Sequence, residues 1–238
     1  MKITPAGSLL TQLTRFGLIN AYLVREDDGL TLIDTGIGGS APGILVAARK
    51  LGAPIRRLLL THAHGDHVGS LDALSAALPD AEVLISARDV RLLSGDTSLD
   101  AHEAQTPVRG SFQRVQARIT RTLEDGDTVG SLQVVASPGH TPGHLALFDP
   151  RDRSLIAGDA FQTAGGLAVA GVIRPLFPLP ALATWHLPTA LASARKLLAL
   201  EPARLAAGHG RVLADPQDAM RRAIAVAEQR AAGLRATA

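Results

Sequence analysis

Apolar and polar positions along the 238-residue chain fall into short blocks separated by turn chemistry. Residues 17–24 (GLINAYLV) and 30–33 (LTLI) are apolar, and Glu26-Asp27-Asp28-Gly29 stands between them, which predicts a β-hairpin. The second of these strands ends at Asp34-Thr35-Gly36. Residues 42–52 open with Pro and close with Gly, the asymmetry of a helix. Arg57 to Leu60 predicts a short strand running directly into residues 61–67. A helix over 68–78 and a strand at 82–85 follow. Residues 86–122 are mixed and Arg-rich, which predicts helical pieces joined by loops. Strands resume at 131–136, 144–148 and 153–157, the last two joined by Asp149-Pro150-Arg151-Asp152. Residues 164–188 form a Gly/Pro-rich apolar stretch. Beyond it the pattern predicts a helix over 189–200, a short strand at 204–206, and an Ala-rich helix over 216–233 opened by Asp215 and Pro216. Two rounds of strands followed by a helix, with no linker between them, predict an α/β fold. We expect a single domain over 1–238 with helices outside two sheets.

Composition narrows the class. With 46% hydrophobic residues, and 23 Gly and 14 Pro showing no triplet period, the chain is neither disordered nor collagen-like. It has no cysteine, which removes disulfides, cysteine zinc sites, thiol nucleophiles and iron–sulfur clusters, and fits a reducing compartment. The net charge of +2 is spread among 21 Arg, 3 Lys and 22 acidic residues without a block or stripe. Seven aromatics are too few for a base-stacking platform, so no nucleic-acid partner is expected. No apolar run approaches the roughly 18 residues that span a bilayer, so no membrane partner is expected either. The opening MKITPAGSLLTQL lacks the apolar segment and cleavage site of a signal peptide, and a cytoplasmic location is expected.

The chemistry concentrates in His62-Ala63-His64-Gly65-Asp66-His67, three imidazoles and a carboxylate directly after a strand. Residues two apart in an extended stretch point to one side, so His62 and His64 reach one ion together. Gly65 lets the chain turn, and Asp66 and His67 then face a second. Imidazole and carboxylate suit Zn(II) and its neighbours. His140 in Pro138-Gly139-His140-Thr141-Pro142-Gly143-His144, Asp159 in Gly158-Asp159, and His209 in Gly208-His209-Gly210 share this position after a strand.

This ordered series, with Asp34 in Leu32-Ile33-Asp34-Thr35-Gly36, resembles the metallo-β-lactamase superfamily over roughly residues 16–212. The resemblance implies a four-layer αββα sandwich of two mixed β-sheets flanked by helices. It implies one divalent ion held by His62, His64 and His140, a second held by Asp66, His67 and His209, and Asp159 between them. Zinc is the first expectation for both ions, with manganese or iron as alternatives. The implied reaction is attack on an ester, thioester or lactone carbonyl by a hydroxide bridging the ions, with Asp66 also serving as a catalytic proton relay. Two cations, two carboxylates and that hydroxide leave about one net positive charge, enough to hold hydroxide near neutrality and attract an oxyanion. Asp34 is expected to orient a ligand or cap its turn, and His144 either to donate to the site or simply to pack. His102 and His186 are expected on the surface or in a pocket.

The same resemblance narrows the reaction by exclusion. True β-lactamases of the superfamily generally carry Cys or Ser where Asp159 stands. Glyoxalase II enzymes add a helical domain after the last His, whereas 29 residues follow His209. Lactonases often carry a Tyr near the bridging Asp; here Phe161 occupies that neighbourhood, and the only tyrosine is Tyr22. The nucleases carry a clamping arm with no counterpart. Two alternatives stay open: a phosphodiesterase or nuclease on the same two metals, and a non-hydrolytic redox or metal-binding relative. The stretch 160–200 has no Asp or Glu and holds Phe161, Phe177 and Trp185. It is expected to wall a pocket for a small acyl or aromatic substrate, with core or a homodimer contact as the other readings. Arg174 is expected to meet a substrate carboxylate or phosphate.

Overall fold

The computed structural model describes residues 1–236. The first sheet takes its seven strands in chain order: β1 (Lys2–Pro5), β2 (Leu10–Arg15), β3 (Ile19–Glu26), β4 (Gly29–Ile33), β5 (Ile55–Leu59), β6 (Glu82–Ser86) and β7 (Arg121–Leu123). β1 to β4 pair antiparallel, and the last three strands add in parallel. Parallel addition needs crossovers. Helices α1 (Ala41–Leu51), α2 (Gly65–Val68), α3 (Leu71–Ala77) and α4 (Ala87–Leu93) lie in them.

The second half contributes β8 (Thr128–Val129), β9 (Leu132–Ala136), β10 (Leu145–Asp149) and β11 (Ser154–Gly158). A two-stranded ribbon of β12 (Phe161–Gln162) and β13 (Ala168–Val169) follows, then α5 (Leu179–Leu182), α6 (Leu187–Leu198), β14 (Arg204–Ala207), β15 (Leu213–Ala214) and α7 (Gln217–Ala236). Six of these strands form a sheet in the order β15-β14-β11-β10-β9-β8, with β11 and β14 parallel.

Side-chain alternation creates the layers. Along β4 and β5, Leu32 and Leu58 face α1 and α3, where they meet Ile44, Ala47, Leu71 and Leu74. Their neighbours Ile33 and Leu59 face the other sheet, where they meet Leu145, Leu147 and Ile156. On β10, Ala146 and Phe148 turn outward onto Ala194 and Leu197 of α6 and Met220, Ala223 and Ala227 of α7. Both faces of both sheets are therefore buried, giving the order helix, sheet, sheet, helix.

The predicted hairpin is β3–β4, and the strands and helices flanking the histidine segment stand within a few residues of their expected bounds. The helix expected over 68–78 is broken. Ser70 donates to Ile37 O (2.7 Å), and its backbone N–H is held by Thr35 Oγ1. That pins the junction between α2 and α3 to the loop after β4. Residues 1–16, where the sequence pattern predicts no element, supply β1 and β2. Pro5 and the Gly7-Ser8 turn interrupt their pattern, and pairing with β3 rather than local periodicity makes them strands. No helix among the described residues is long and apolar enough to cross a membrane.

Candidate metal centre

The seven residues singled out in the sequence meet at one edge of the sandwich. His62 to His67 leave the end of β5, and Asp159 and His209 leave the ends of β11 and β14, which parallel pairing puts side by side. His140 sits on the turn between β9 and β10, and Leu145 N donates to Thr61 O (2.8 Å), tying that turn to the histidine segment. Two groups form. In each of His62/His64/His140 and Asp66/His67/His209, the ligand-type atoms lie within 4.8 Å of one another. Asp159 spans them: its Oδ2 is 3.4 Å from His140 Nε2 and 3.2 Å from His209 Nε2, and its Oδ1 is 3.6 Å from His67 Nε2. Gly208 permits this approach, because a methyl there would overlap the Asp159 carboxylate.

The hydrogen bonds on the outer side of each ring set its tautomer. Thr61 Oγ1 donates to Asp34 (2.9 Å), so it accepts from His62 Nδ1 (3.0 Å). Thr184 Oγ1 donates to Pro180 O (2.8 Å), so it accepts from His140 Nδ1 (3.0 Å). His64 Nε2 donates to Arg109 O (2.9 Å), His67 Nδ1 to Asp34 Oδ2 (2.7 Å) and His209 Nδ1 to Leu18 O (3.2 Å). In every neutral ring the other nitrogen is a bare lone pair aimed at the centre. His62 Nε2 and His140 Nε2 lie 3.1 and 2.9 Å from His64 Nδ1, three lone pairs without a proton between them. His67 Nε2 and Asp159 Oδ1 are buried without a hydrogen-bond partner among the described residues. A cation satisfies all of these atoms at once, and the donor set of imidazoles and carboxylates fits a divalent transition metal.

Electrostatics agree. Burial holds His62, His64 and His140 below the usual imidazole range, in the neutral form a metal needs. Burial also opposes charge on His67 and His209, but the carboxylates around them prevail. They push His67 well up, and His209 to about 9. Asp66 and Asp159 are held low against burial, chiefly by those two imidazoles. Protons and cations thus compete for one pocket.

Other residues brace the centre. His144 takes neither group; its Nδ1 pairs with Ser137 Oγ (2.9 Å) and its Nε2 accepts from Asp159 N (3.0 Å), which orients Asp159. Asp89, which sequence reasoning missed, is fully buried on α4. It accepts from Ala63 N (3.0 Å), Thr141 Oγ1 (2.7 Å) and Gly143 N (2.8 Å), joining the two histidine loops. Burial pushes its carboxyl up to about 6 against the pull of these donors. A folded value above the ordinary one makes ionisation oppose folding. The contribution is complete below about pH 4 and is lost as the pH rises through about 6. Asp89→Asn cannot ionise. Between pH 4 and 7, urea unfolding of chelated protein should show wild type losing up to about 3 kcal/mol more than the variant.

The centre opens into a cleft of about 770 Å³. The stretch 160–200 contributes to its wall, but not as a unit. Phe177, Leu179, Pro180, Leu182 and Ala183 line the cleft, with the Phe177 ring tilted 53° to the His209 ring at 5.1 Å between centroids. Phe161 lies instead in the core against α6 and α7. Trp185 is buried beneath the 98–110 segment, with Nε1 donating to Thr106 O (2.9 Å). Arg174 turns away and bonds Leu167 O. His186 pairs with Thr189 at the start of α6, and His102 is exposed beside Asp100 and Glu103. Sequence reasoning also missed Phe16, Leu18, Gly110, Ser111 and Gln113, all of which line the cleft. None carries a motif or a periodic signal.

The model of the Metallo-beta-lactamase superfamily matches residues 14–209. The chain is 49% identical over 212 residues, 89% of its length and 91% of the other's, to the uncharacterized protein YobT of Bacillus subtilis (strain 168). It is 31% identical to the probable metallo-hydrolase YflN of the same organism, over 81% of each chain. Among solved structures it is similar to TTHA1623 in a di-iron-bound form, at 31% identity and a TM-score of 0.64, over 87% of this chain and 95% of that one.

Proposed function

We propose that this chain, which belongs to the metallo-beta-lactamase superfamily and is a metal-dependent hydrolase, cleaves a carbonyl ester, thioester or lactone at a two-metal centre. His62, His64 and His140 would hold one ion, Asp66, His67 and His209 the other, and Asp159 would serve both. The observation that carries this reading is the set of five imidazoles, each held by an acceptor on its far side so that its other nitrogen is aimed at the centre. When bound, the ions supply Lewis acidity and lower the pKa of the water they hold to about 7. Zinc fits the donor set, and iron and manganese fit the same ligands.

The chain's own residues do the rest. Asp159, fixed through its backbone by His144, holds the two groups at a set separation. Asp66 is the half-buried carboxylate that faces the cleft, and it is ionised. Its place at the edge of the cleft would let it pass a proton between the centre and the cleft, while the imidazoles that hold its pKa down make it a weak base. The Phe177 and Leu179 side exludes water from the substrate's apolar part.

The test uses protein stripped with a chelator and reloaded with zinc, manganese or iron. It is assayed on esters, thioesters, a lactone and a phosphodiester, with His64→Ala as control. Hydrolysis of the carbonyl compounds should vanish on stripping and return with two ions per chain. His64→Ala should lower it about 10³-fold or more. Undiminished turnover in demonstrably metal-free protein would overturn the proposal.

A further inference from the structure

We infer that the cleft selects an uncharged substrate with an apolar acyl chain, and that Ser111 and Gln113 make its polar contact; the inference rests on the hydrolytic reading above. The cleft is built from two apolar stretches of chain. Phe16 and Leu18 come from the β2–β3 turn, and Phe177, Leu179 and Leu182 from the segment around α5. These side chains are exposed beyond what a core would leave: 74% for Phe16, 63% for Leu179 and 55% for Leu182. Apolar surface gathered beside a reactive centre is covered to advantage by an apolar ligand.

Charge is the second observation. Among the described residues that line the cleft there is no Lys or Arg. A phosphate, carboxylate or nucleotide carrier seated there would lose hydration without finding a counter-charge in the wall. Apart from the proposed metal ligands, the polar side chains lining the cleft are Ser111 and Gln113. Both sit against Gly65, between His64 and Asp66. Ser111 Oγ and Gln113 Oε1 each lie 3.6 Å from where Gly65 would carry a Cβ. The amide of Gln113 reaches Val68 O only at 3.4 Å, and neither Ser111 Oγ nor Gln113 Oε1 has a hydrogen-bond partner among the described residues. A free hydroxyl donor and a free amide acceptor thus stand at the rim of the metal centre, where the reacting end of a substrate lies if its chain follows the apolar wall.

Zinc-loaded protein is assayed on p-nitrophenyl esters from acetyl to octanoyl. It is also assayed on octanoyl thioesters of a neutral thiol, N-acetylcysteamine, and of an anionic one, glutathione. We expect kcat/KM to rise roughly tenfold or more along the ester series and the neutral thioester to be preferred by a similar factor. Ser111→Ala should lower kcat/KM about fivefold to tenfold, and Leu182→Asn should flatten the series. A flat wild-type series, or equal use of the anionic thioester, overturns the inference while leaving the hydrolytic reading intact. If no ester, thioester or lactone is cleaved, that reading fails, and calorimetric binding of octanamide decides the inference alone. Binding that Leu182→Asn weakens supports an apolar acyl cleft; no binding up to the amide's solubility refutes it.

Discussion

Replacing Gly110 with alanine is expected to dislodge His64 from the metal centre and to cut turnover about 100-fold or more. Gly110 adopts φ +116°, a conformation that L side chains rarely adopt, and a methyl built on it would overlap His64 Nε2. Neither partner is free to retreat. His64 Nε2 is bonded to the carbonyl of the preceding Arg109 (2.9 Å). On the other side, Gly65 N donates to Ser111 O (2.8 Å) and His64 forms a β-bridge with Phe112. The imidazole is thus gripped from behind by the same stretch of chain that would carry the new methyl. If it swings aside, Nδ1 leaves His62 and His140, and that group is reduced to two nitrogens. The measurement is metal content after dialysis, set beside kcat/KM and the far-UV spectrum. Loss of about one ion per chain with the fold retained is the expected result. Two tightly held ions and normal turnover would show that the loop yields instead.

Gly110 also marks where sequence reading stops. The candidate ligands were legible because they follow strands in short segments, most of them beside glycine, and their order along the chain resembles the superfamily's. His62, His64, His140 and the rest needed only their own segments to be noticed. What holds them did not announce itself. Thr61 and Asp34 lie inside recognisable segments, yet the chain from Asp34 through Thr61 to His62 exists only because β4 and β5 are adjacent. Leu18 O and Arg109 O are backbone acceptors, and any residue would supply them. The sequence 94–120 has no periodicity, although it delivers Gly110, Ser111 and Gln113 to the cleft. The aromatic stretch divides between cleft wall and core for a related reason. Phe161 and Phe177 look alike in sequence, but Phe161 pairs with Val169 in the β12–β13 ribbon and is turned into the core. Phe177 is held by its carbonyl, which accepts from Gln162 Nε2 (3.0 Å), and its ring is left facing His209.

The Asp34→Asn variant is expected to keep its fold and lose the second ion, with turnover down about 10³-fold. Asp34 is a pure acceptor for three donors: Thr61 N (2.8 Å), Thr61 Oγ1 (2.9 Å) and His67 Nδ1 (2.7 Å). Its φ of +60° is one that Asn adopts as readily as Asp, so the backbone gives no reason for a change. Asn has one acceptor where Asp has two. With its carbonyl toward Thr61 N, its NH₂ meets His67 Nδ1–H, donor against donor. His67 escapes by moving its proton to Nε2, where it points into the centre and occupies the lone pair meant for the cation. The same NH₂ can donate to Thr61 Oγ1, whose proton then turns toward His62 Nδ1 and shifts the second ring the same way. The opposite amide orientation sets NH₂ against the buried Thr61 N–H and relieves nothing. Tautomers are visible to nitrogen NMR of the imidazoles. The experiment therefore compares the His67 Nδ1–H signal, the metal content and the thermal midpoint in the two proteins. A lost Nδ1–H signal and a lost ion at a nearly unchanged midpoint are the expected outcome. An intact signal with two ions bound would mean that Asp34 shapes its turn without setting the proton on His67.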